Sequence, residues 1–424
     1  MNLLTTKYDI DDPIVAALAW SRMAEPGDLT AGTITTQLGV TEALRWLISE
    51  PLLSPLFTPA RGGNNRTNVG EAPEKSPAKA VLHAAIDTWR MRLEDFDPMA
   101  DIAASRSLGA SLLTPSDPRW PAKLAVLGAA APYLLWVLGD ACFAQGDHQA
   151  VAVVGARAAT SYGEQVATDL ALGLAERGLS VASGGAYGID AAAHRGALAA
   201  PGSTIAFMAG GIDRLYPPGN NALLRAVSQA QGCAVVSELP PGSVPYRSRF
   251  LARNRLIAAI SDVTVVVEAA WRSGALSTAR QAANYLRPVG AVPGPITSMA
   301  SAGCHQLIRD SIAVCVTDVA EVIELTNQAA LLEPKEGRAE PPLGTGNESG
   351  KARNAADKVK DRALLDGLPA ETQHVYEALP FKRAITVESV LGVVAQPLYT
   401  VLSALAVLET RGLVVQNGNK WRRT

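Results

Sequence analysis

The sequence has few cysteines, few aromatic residues and no excess of either charge. Its four cysteines, Cys142, Cys233, Cys304 and Cys315, are scattered over 424 residues and form no CxxC pair. This spacing argues against a zinc site or a disulfide framework and is typical of a reducing compartment. The 38 Lys and Arg residues against 40 Asp and Glu residues give a formal net charge of −2. A protein that coats DNA through an overall positive charge is therefore excluded, and any nucleic-acid site must be a local basic patch.

Long hydrophobic runs are also absent. The longest uncharged apolar stretch, residues 124–139, is interrupted by Pro132 and by glycines and is too short for a membrane span. The N-terminal segment becomes acidic early and has no apolar core of the kind that a secretory signal needs. With 48% hydrophobic residues, the composition is that of a globular chain. We therefore predict a cytoplasmic protein with no membrane partner.

Composition predicts several regions along the chain. Residues 1–110 have apolar residues at helical spacing and are expected to form a helical N-terminal domain, with a flexible insertion near residues 59–79. Residues 111–325 form the expected core domain. Residues 326–360 are rich in Pro, Gly and charged residues and are typical of a linker. Residues 361–424 are long enough for one further small domain.

This C-terminal segment has the pattern of a winged helix. Three helical stretches are expected at residues 372–379, 386–394 and 397–410, followed by two short strands. Asn417-Gly418 lies between those strands and is a strong hairpin signal. Three helices and a terminal hairpin are the outline of a winged-helix domain.

The core region alternates short apolar runs with Ala-rich helical runs. Because the strands are apolar on both faces, this alternation predicts an α/β fold in which a parallel sheet has helices on both faces. The predicted strands are residues 151–154, 179–183, 204–208, 234–237, 263–267 and 288–292, with 313–316 as a further candidate. The predicted helices between them are residues 163–177, 189–199, 222–231, 254–260 and 278–286.

Glycine-rich turns follow most of the predicted strands. The segments GAR, SGGAYGID, AGGID, SELPPG and PGP each begin where a strand ends. Because the carboxyl ends of parallel strands share one edge of the sheet, these turns are expected to meet there. Small residues let backbone N–H groups approach an anion, and helix N-termini favour negative charge. The pattern therefore predicts a ligand that carries phosphate.

Other motifs narrow the kind of phosphate ligand. The sequence has no GxxxxGK[ST] and no GxGxxG after the first core strand, which argues against a P-loop NTPase and a dinucleotide site. Its five histidines have neither metal-ligand spacing nor a GxSxG partner, so no catalytic triad, metal or cofactor is expected. Arginines stand at this edge instead: Arg157 in the first turn and four more in the segment YRSRFLARNR. Several arginines suit a polymer of phosphates better than one nucleotide.

A series of motifs in one order resembles the DprA/Smf DNA-processing proteins. They are DPRWP, VVGARAATSYG, SGGAYGIDAAAHRGAL, GGIDRLYPPGNNAL, SELPPG, RNRLIAAIS, EAAWRSGALSTA and AVPGPI. The resemblance implies an extended Rossmann-like fold and a homodimer that binds single-stranded DNA. It also implies help in loading the RecA recombinase during natural transformation and homologous recombination. It implies no catalytic activity.

The resemblance also implies which residues contact DNA. Arg157 is expected to hold a phosphate, and backbone N–H groups of the SGG turn to assist it. The expected phosphate-binding residues are Gly155, Arg157, Ser183, Gly184, Gly185, Arg253, Asn254, Arg255, Ser273, Gly274 and Thr278, with Arg247 and Arg249 as further candidates. Arg253, Asn254 and Arg255 are expected in one basic pocket. The chain departs from the family pattern at Ala156, Leu251 and His305.

Several polar residues near the strand ends have two interpretations. Asp190 and His194 lie four apart at a helix start, and a structural role is favoured over acid–base catalysis. Glu238 and Glu268 end strands, and pairing with arginines is favoured over a two-metal nuclease site. Tyr216 is interpreted as part of a loop rather than as a base-binding residue.

Two other functions remain open at this point. One is a nucleotide-binding or nucleotide-processing enzyme on a related Rossmann-like fold. The other is a transcription regulator that uses the winged tail, although this tail has a near-balanced charge and no strongly basic recognition helix.

Overall fold

The computed structural model describes residues 8–49, 77–140 and 149–332, together with residues 370–379, 385–386 and part of the segment 390–423. The predicted flexible insertion lies almost entirely outside these residues, as do Cys142 and the predicted linker from residue 333 onward. The chain divides into two compact units, Met1–Lys335 and Glu336–Thr424. The two units are described separately.

In the N-terminal part of the first unit, residues 8–49 and 77–109 contain five helices. They are α1 (Pro13–Met23), α2 (Leu29–Leu38), α3 (Val40–Ile48), α4 (Pro77–Leu93) and α5 (Pro98–Ser107). Asp12, Asp28 and Asp97 cap α1, α2 and α5, because each carboxylate accepts hydrogen bonds from backbone N–H groups of the first turn.

Trp20 lies at the centre of these helices. It is fully buried, and its ring meets the ring of Trp89 edge-on at 5.5 Å. The same apolar cluster includes Leu134, which directly precedes a strand of the sheet, and Trp136, which lies within that strand. Burial of such large side chains contributes roughly 2–3 kcal/mol each, so the helices and this edge of the sheet are joined by a shared core.

A nine-stranded sheet forms the centre of the unit. Its strands are β1 (Ala110–Leu113), β2 (Leu135–Gly139), β3 (Ala150–Val154), β4 (Ser180–Ser183), β5 (Thr204–Phe207), β6 (Ala234–Ser237), β7 (Val263–Val266), β8 (Val289–Ala291) and β9 (Val314–Cys315). The order is β1-β2-β6-β5-β4-β3-β7-β8-β9. Strands β3 to β9 pair in parallel, whereas β2 pairs antiparallel with both β1 and β6.

Helices cover both faces of the sheet. They are α6 (Ser161–Ala175), α7 (Ile189–Leu198), α8 (Asn221–Gln229), α9 (Arg247–Ile260), α10 (Gly274–Asn284), α11 (Ala302–Arg309) and α12 (Val319–Leu332). Side chains alternate along each strand, so Val151 and Val153 pack under α6 and α7, whereas Ala152 and Val154 pack under α9 and α10. The predicted α/β fold with helices on both faces is confirmed.

Several boundaries differ from the predictions. Helix α9 begins at Arg247, whereas the prediction began at residue 254. The start was missed because the first two turns are rich in polar side chains and have no apolar period. Helix α10 begins at Gly274 instead of residue 278, since Ser273 caps it by accepting a hydrogen bond from Ala275 N–H. Helix α12 continues to Leu332, beyond the predicted start of the linker at residue 326. Strand β2 and helices α11 and α12 were not predicted.

The second unit contains helix α13 (Ala370–Ala378) and three strands, β10 (Ile385–Thr386), β11 (Val414–Asn417) and β12 (Lys420–Arg423). The strands form an antiparallel sheet in the order β10-β12-β11, and Asn417 faces Lys420. Thr386 lies in a strand where a helix was expected. Most residues of the second and third predicted helices lie outside the described residues, so the winged helix stays a prediction.

Along the described ranges, no helix combines the length and the apolar character that a membrane span requires.

Candidate functional site

The candidate site lies where the strand order reverses. Strand β3 connects to β4 on one side, while its other neighbour β7 is reached from β6 through α9. Crevices at such a reversal, outside the carboxyl ends of the strands, are the usual ligand sites of open α/β sheets. A cavity of about 510 Å³ occupies this position. It is lined by Val154, Gly155, Arg157, Ala186, Asp190, Arg247, Phe250, Leu251, Arg253, Asn254, Ile257, Arg272, Ser273, Gly274, Ala275 and Thr278.

Three exposed arginines surround the cavity. Arg157 follows β3, Arg247 begins α9, and Arg272 precedes α10. Within the described ranges, none of these guanidinium groups forms a hydrogen bond or an ion pair, and Arg157 instead lies 4.6 Å above the Phe250 ring. Because these three positive charges on one rim are not neutralised by ion pairs within the described ranges, we expect the cavity to favour anionic ligands.

A fourth arginine, Arg253, is buried at the base of the cavity and is 5% exposed. Its guanidinium donates to Gly184 O at 2.7 Å and to Phe207 O, while its Nε has no partner among the described residues. Burial lowers the pKa of Arg253 to about 10; the charge of Asp190 opposes this shift and that of Arg157 adds to it. Arg253 therefore remains a cation at neutral pH.

The Asp190 carboxylate accepts hydrogen bonds from backbone N–H groups of the glycine-rich turns. Its Oδ2 accepts from Gly184 N–H at 3.1 Å and from Ala186 N–H at 3.4 Å, and Gly155 N–H also donates to this carboxyl. Burial raises the pKa of Asp190, while the Arg253 charge and these backbone hydrogen bonds act against that rise. The turns bind an internal carboxylate, as the structural interpretation of Asp190 expects.

The SGG turn therefore differs from the prediction. Ser183, Gly184 and Gly185 lie outside the cavity lining, and the Ser183 hydroxyl donates to Val153 O at 2.7 Å. The Gly184 N–H is already donated to Asp190 and is not available to a phosphate. Gly184 has another role, because a Cβ there would lie 2.3 Å from Arg253 Nη1. The glycine gives the buried guanidinium the space it occupies.

Arg255 is also placed differently from the prediction. It is 5% exposed and forms a bidentate ion pair with Glu238, with Nη1 2.6 Å from Oε1 and Nη2 2.5 Å from Oε2. Its Nε donates to Ala130 O at 2.9 Å. Residues two apart on a helix point about 200° apart, so Arg253 and Arg255 cannot face one pocket. Arg255 ties α9 to the segment before β2, and Glu238 has the arginine partner that was expected.

The remaining predicted residues of the cavity do lie together. Asn254 Nδ2 donates to Gly274 O at 3.3 Å, which joins α9 to the start of α10. Ser273, Gly274 and the buried Thr278 also line the cavity, as does Gly155, which lies between Ile189 and the Glu268 backbone. The structure thus brings these five residues to one cavity, which makes them candidates for ligand contact.

The two further arginine candidates separate. Arg247 lines the cavity. Arg249 instead donates to Glu25 through Nε at 3.0 Å and Nη2 at 3.1 Å, and its side chain is 16% exposed. Glu25 also accepts from the Tyr246 hydroxyl at 2.6 Å. Arg249 therefore binds the first turn of α9 to the N-terminal helices and is not free for an external phosphate.

His194 and Glu268 have structural partners. Burial, and then the Arg253 charge, lower the pKa of His194 to about 3, so the ring is neutral. Its Nδ1 lies 2.8 Å from Thr204 Oγ1, whose proton goes to Val181 O, so Nδ1–H is the donor. Glu268 accepts from the N–H and hydroxyl of Thr160 rather than from an arginine, contrary to the prediction.

The structure shows the surroundings of the three residues that depart from the family pattern, Ala156, Leu251 and His305. Ala156 N–H donates to Glu268 O at 2.7 Å. Leu251 lines the cavity and is 44% exposed. His305 Nε2 lies 3.0 Å from Gly294 O and is not among the residues that line the cavity.

Two side chains that sequence reasoning missed belong to the cavity. Arg272 directly precedes the predicted Ser273-Gly274 pair, so its position in the motif was the available signal. Phe250 lies three residues before Arg253 on α9, which places both on one helical face. That signal was hidden because the helix was expected to begin at residue 254.

Comparison with known proteins gives consistent results. The model of the family described as DNA recombination-mediator protein A matches residues 111–327. A putative DNA processing protein DprA from Mycobacterium tuberculosis is 45% identical over 325 residues, which cover 74% of this chain and 77% of that protein. The DNA processing protein DprA of Bacillus subtilis is 30% identical over 283 residues, which cover 66% of this chain and 89% of that protein.

A solved structure resembles the fold as well. The X-ray structure of DNA processing protein A from Streptococcus pneumoniae matches 75% of this chain and 98% of that chain with a TM-score of 0.55 at 28% identity. The family match spans the nine-stranded sheet except Ala110, the first residue of β1, and includes every described residue that lines the cavity. The chain therefore belongs to the DprA/Smf family of DNA-processing proteins, the DNA recombination-mediator protein A family.

Proposed function

We propose that this protein is a single-stranded DNA-binding recombination mediator. It protects incoming single strands and helps load the RecA recombinase onto them in natural transformation and homologous recombination. It works as a homodimer and without catalysis. The proposal places it in the cytoplasm, in line with the reducing compartment that its scattered cysteines indicate.

One observation supports DNA binding most strongly. Arg157, Arg247 and Arg272 surround one cavity and form no hydrogen bond or ion pair within the described part of the chain, and the buried Arg253 adds a fourth positive charge. Asp190 is the one carboxylate among the described residues that line the cavity, so the arginines exceed it by three charges. An excess of this size favours a ligand with several negative charges, which a chain of phosphates provides.

The form of the cavity favours a single strand over a duplex. A volume of about 510 Å³ is in the range of sites that hold one small molecule, and is therefore suited to about one nucleotide unit. A flexible single strand can place one nucleotide in such a recess and run its neighbours over the rim. A base-paired duplex must first unpair and unstack a base, which costs a few kcal/mol.

The test is binding of a fluorescent oligo(dT) and of a duplex of equal length across a salt series. For the wild type we expect preference for the single strand and a linear fall of log affinity with log salt, by roughly 0.7 per phosphate contact. Arg157→Ala and Arg272→Ala should each weaken binding and reduce that slope by roughly 0.7.

Arg195→Ala is the matched control. Arg195 is exposed in the last turn of α7, a helix that begins at the ligand edge and runs away from it. The control should bind like the wild type. Equal loss in all three variants, or wild-type affinity in all three, would contradict the proposed site. RecA loading is measured separately, as filament assembly on single strands with and without the protein.

A further inference from the structure

Tyr216 lies beside the candidate cavity and has an exposed ring. It belongs to the loop after β5, and 41% of the residue is exposed to solvent. Its ring centroid lies 5.7 Å from that of Phe250, with an angle of 57° between the planes. Phe250 lines the cavity and carries the Arg157 guanidinium at 4.6 Å. The Phe250 ring therefore contacts the Arg157 guanidinium and also the Tyr216 ring, so the three groups form one row beside the cavity.

The loop that carries Tyr216 is anchored on both sides of the ring. Leu215, the preceding residue, is 9% exposed and belongs to the apolar cluster of β5, β6 and α8. Asn220 is 4% exposed and donates from Nδ2 to Gly185 O and Ala186 O, both at 3.0 Å. An exposed aromatic ring on a well-held loop loses little conformational freedom when a ligand stacks on it.

We propose that Tyr216, which the sequence pattern alone assigned only to a loop, is a stacking platform for a nucleobase of the bound single strand. The base belongs to the nucleotide next to the one whose phosphate contacts Arg157. This inference rests on the proposed function, since it adds a base contact to a strand held through its phosphates. Ring stacking accepts any base, because every base has a π face, and it is not available to bases paired inside a duplex. The contact therefore favours single strands without sequence preference.

The experiment compares two ligands with the same number of phosphates. One is oligo(dT), and the other is an oligomer of abasic tetrahydrofuran residues of equal length. Tyr216→Ala should weaken binding of oligo(dT) by about tenfold, the effect of losing one base–aromatic stack, and leave binding of the abasic oligomer unchanged. Tyr216→Phe and Tyr216→Trp should keep wild-type preference for oligo(dT), whereas Tyr216→Leu should behave like Tyr216→Ala.

Each alternative outcome has one meaning. If Tyr216→Ala loses the same factor on both ligands, Tyr216 serves to hold the loop and the inference is wrong. If Tyr216→Ala and Tyr216→Leu bind oligo(dT) like the wild type, the inference is also wrong. If the wild type itself binds neither ligand, the proposed function fails. Thermal unfolding of every variant shows whether the fold is kept.

Discussion

Replacing Arg255 by methionine should reduce the stability of the protein and leave its affinity for single-stranded DNA unchanged. Arg255 and Glu238 form an ion pair in which each side chain is 6% exposed. Removal of the arginine leaves the Glu238 carboxylate buried without its cation and removes the hydrogen bond to Ala130 O. Breaking such a pair from one side costs about 3–5 kcal/mol, since the remaining charge stays desolvated.

The assay is unfolding by urea, followed by binding of oligo(dT) at a temperature where the variant is folded. The loss of about 4 kcal/mol should lower Tm by roughly 5–10 °C. A double variant, Arg255→Met with Glu238→Leu, removes both charges and should regain most of the lost stability, because an apolar pair of similar volume replaces the ion pair. Arg195→Ala, an exposed arginine, serves as the control for loss of one positive charge.

The opposite result would refute this reasoning. If Arg255→Met unfolds like the wild type but loses DNA affinity while Arg195→Ala keeps it, Arg255 contacts the strand. The family-based expectation would then be right, and the ion pair with Glu238 would be a minor interaction.

Two further predictions concern the base of the site. Gly184→Ala places a Cβ 2.3 Å from Arg253 Nη1, so the guanidinium must move; we expect a loss of about 1–3 kcal/mol in the free energy of unfolding and weaker oligo(dT) binding. Gly274→Ala is the control for the unfolding measurement, because Gly274, like Gly184, has no positive φ and an added Cβ there meets nothing within 4 Å. His194 has a folded pKa of about 3 against 6.5 when unfolded, so the unfolded chain binds more protons between these values and stability falls as pH decreases below 6.5. Between pH 6.5 and 5 the wild type should lose roughly 2 kcal/mol more than His194→Gln in urea unfolding, and an equal loss in both proteins would show that His194 is not the group responsible.

Much of the central fold is predictable because its strands are buried on both faces. A strand such as β3, AVAVV, shows as a continuous apolar run between turn residues, and six strands of the sheet were located in this way. Strand β9 was predicted as a further candidate, although both of its residues are exposed. Strand β2 is also apolar, but it follows a Pro-containing apolar segment and resembles part of one long run. The first turns of α9 carry arginines instead of an apolar stripe, so their helical state depends on contacts such as Arg249 with Glu25.

The candidate site was predictable in location but not in detail. Glycine turns at strand ends place Arg157 and the start of α10 at one edge, as the topology requires. The opposite directions of Arg253 and Arg255 follow from helical geometry, once the helix is known to include both. The partner of the turn N–H groups does not follow from sequence. The Asp190 carboxylate and an external phosphate could both accept hydrogen bonds from these N–H groups. In the structure, Asp190 accepts them.

The hydrogen bonds to Asp190 have a consequence for how the affinity of this protein can change during evolution. Main-chain amides that bind a ligand are present whatever the side chains are, so a site built from them is difficult to adjust by substitution. Here those amides are occupied by the protein's own carboxylate, and the proposed binding of the strand depends instead on separate guanidinium groups on the rim. Under this proposal, replacing one rim arginine removes one positive charge and leaves the turns intact, so substitutions on the rim would change the affinity for DNA without changing the fold.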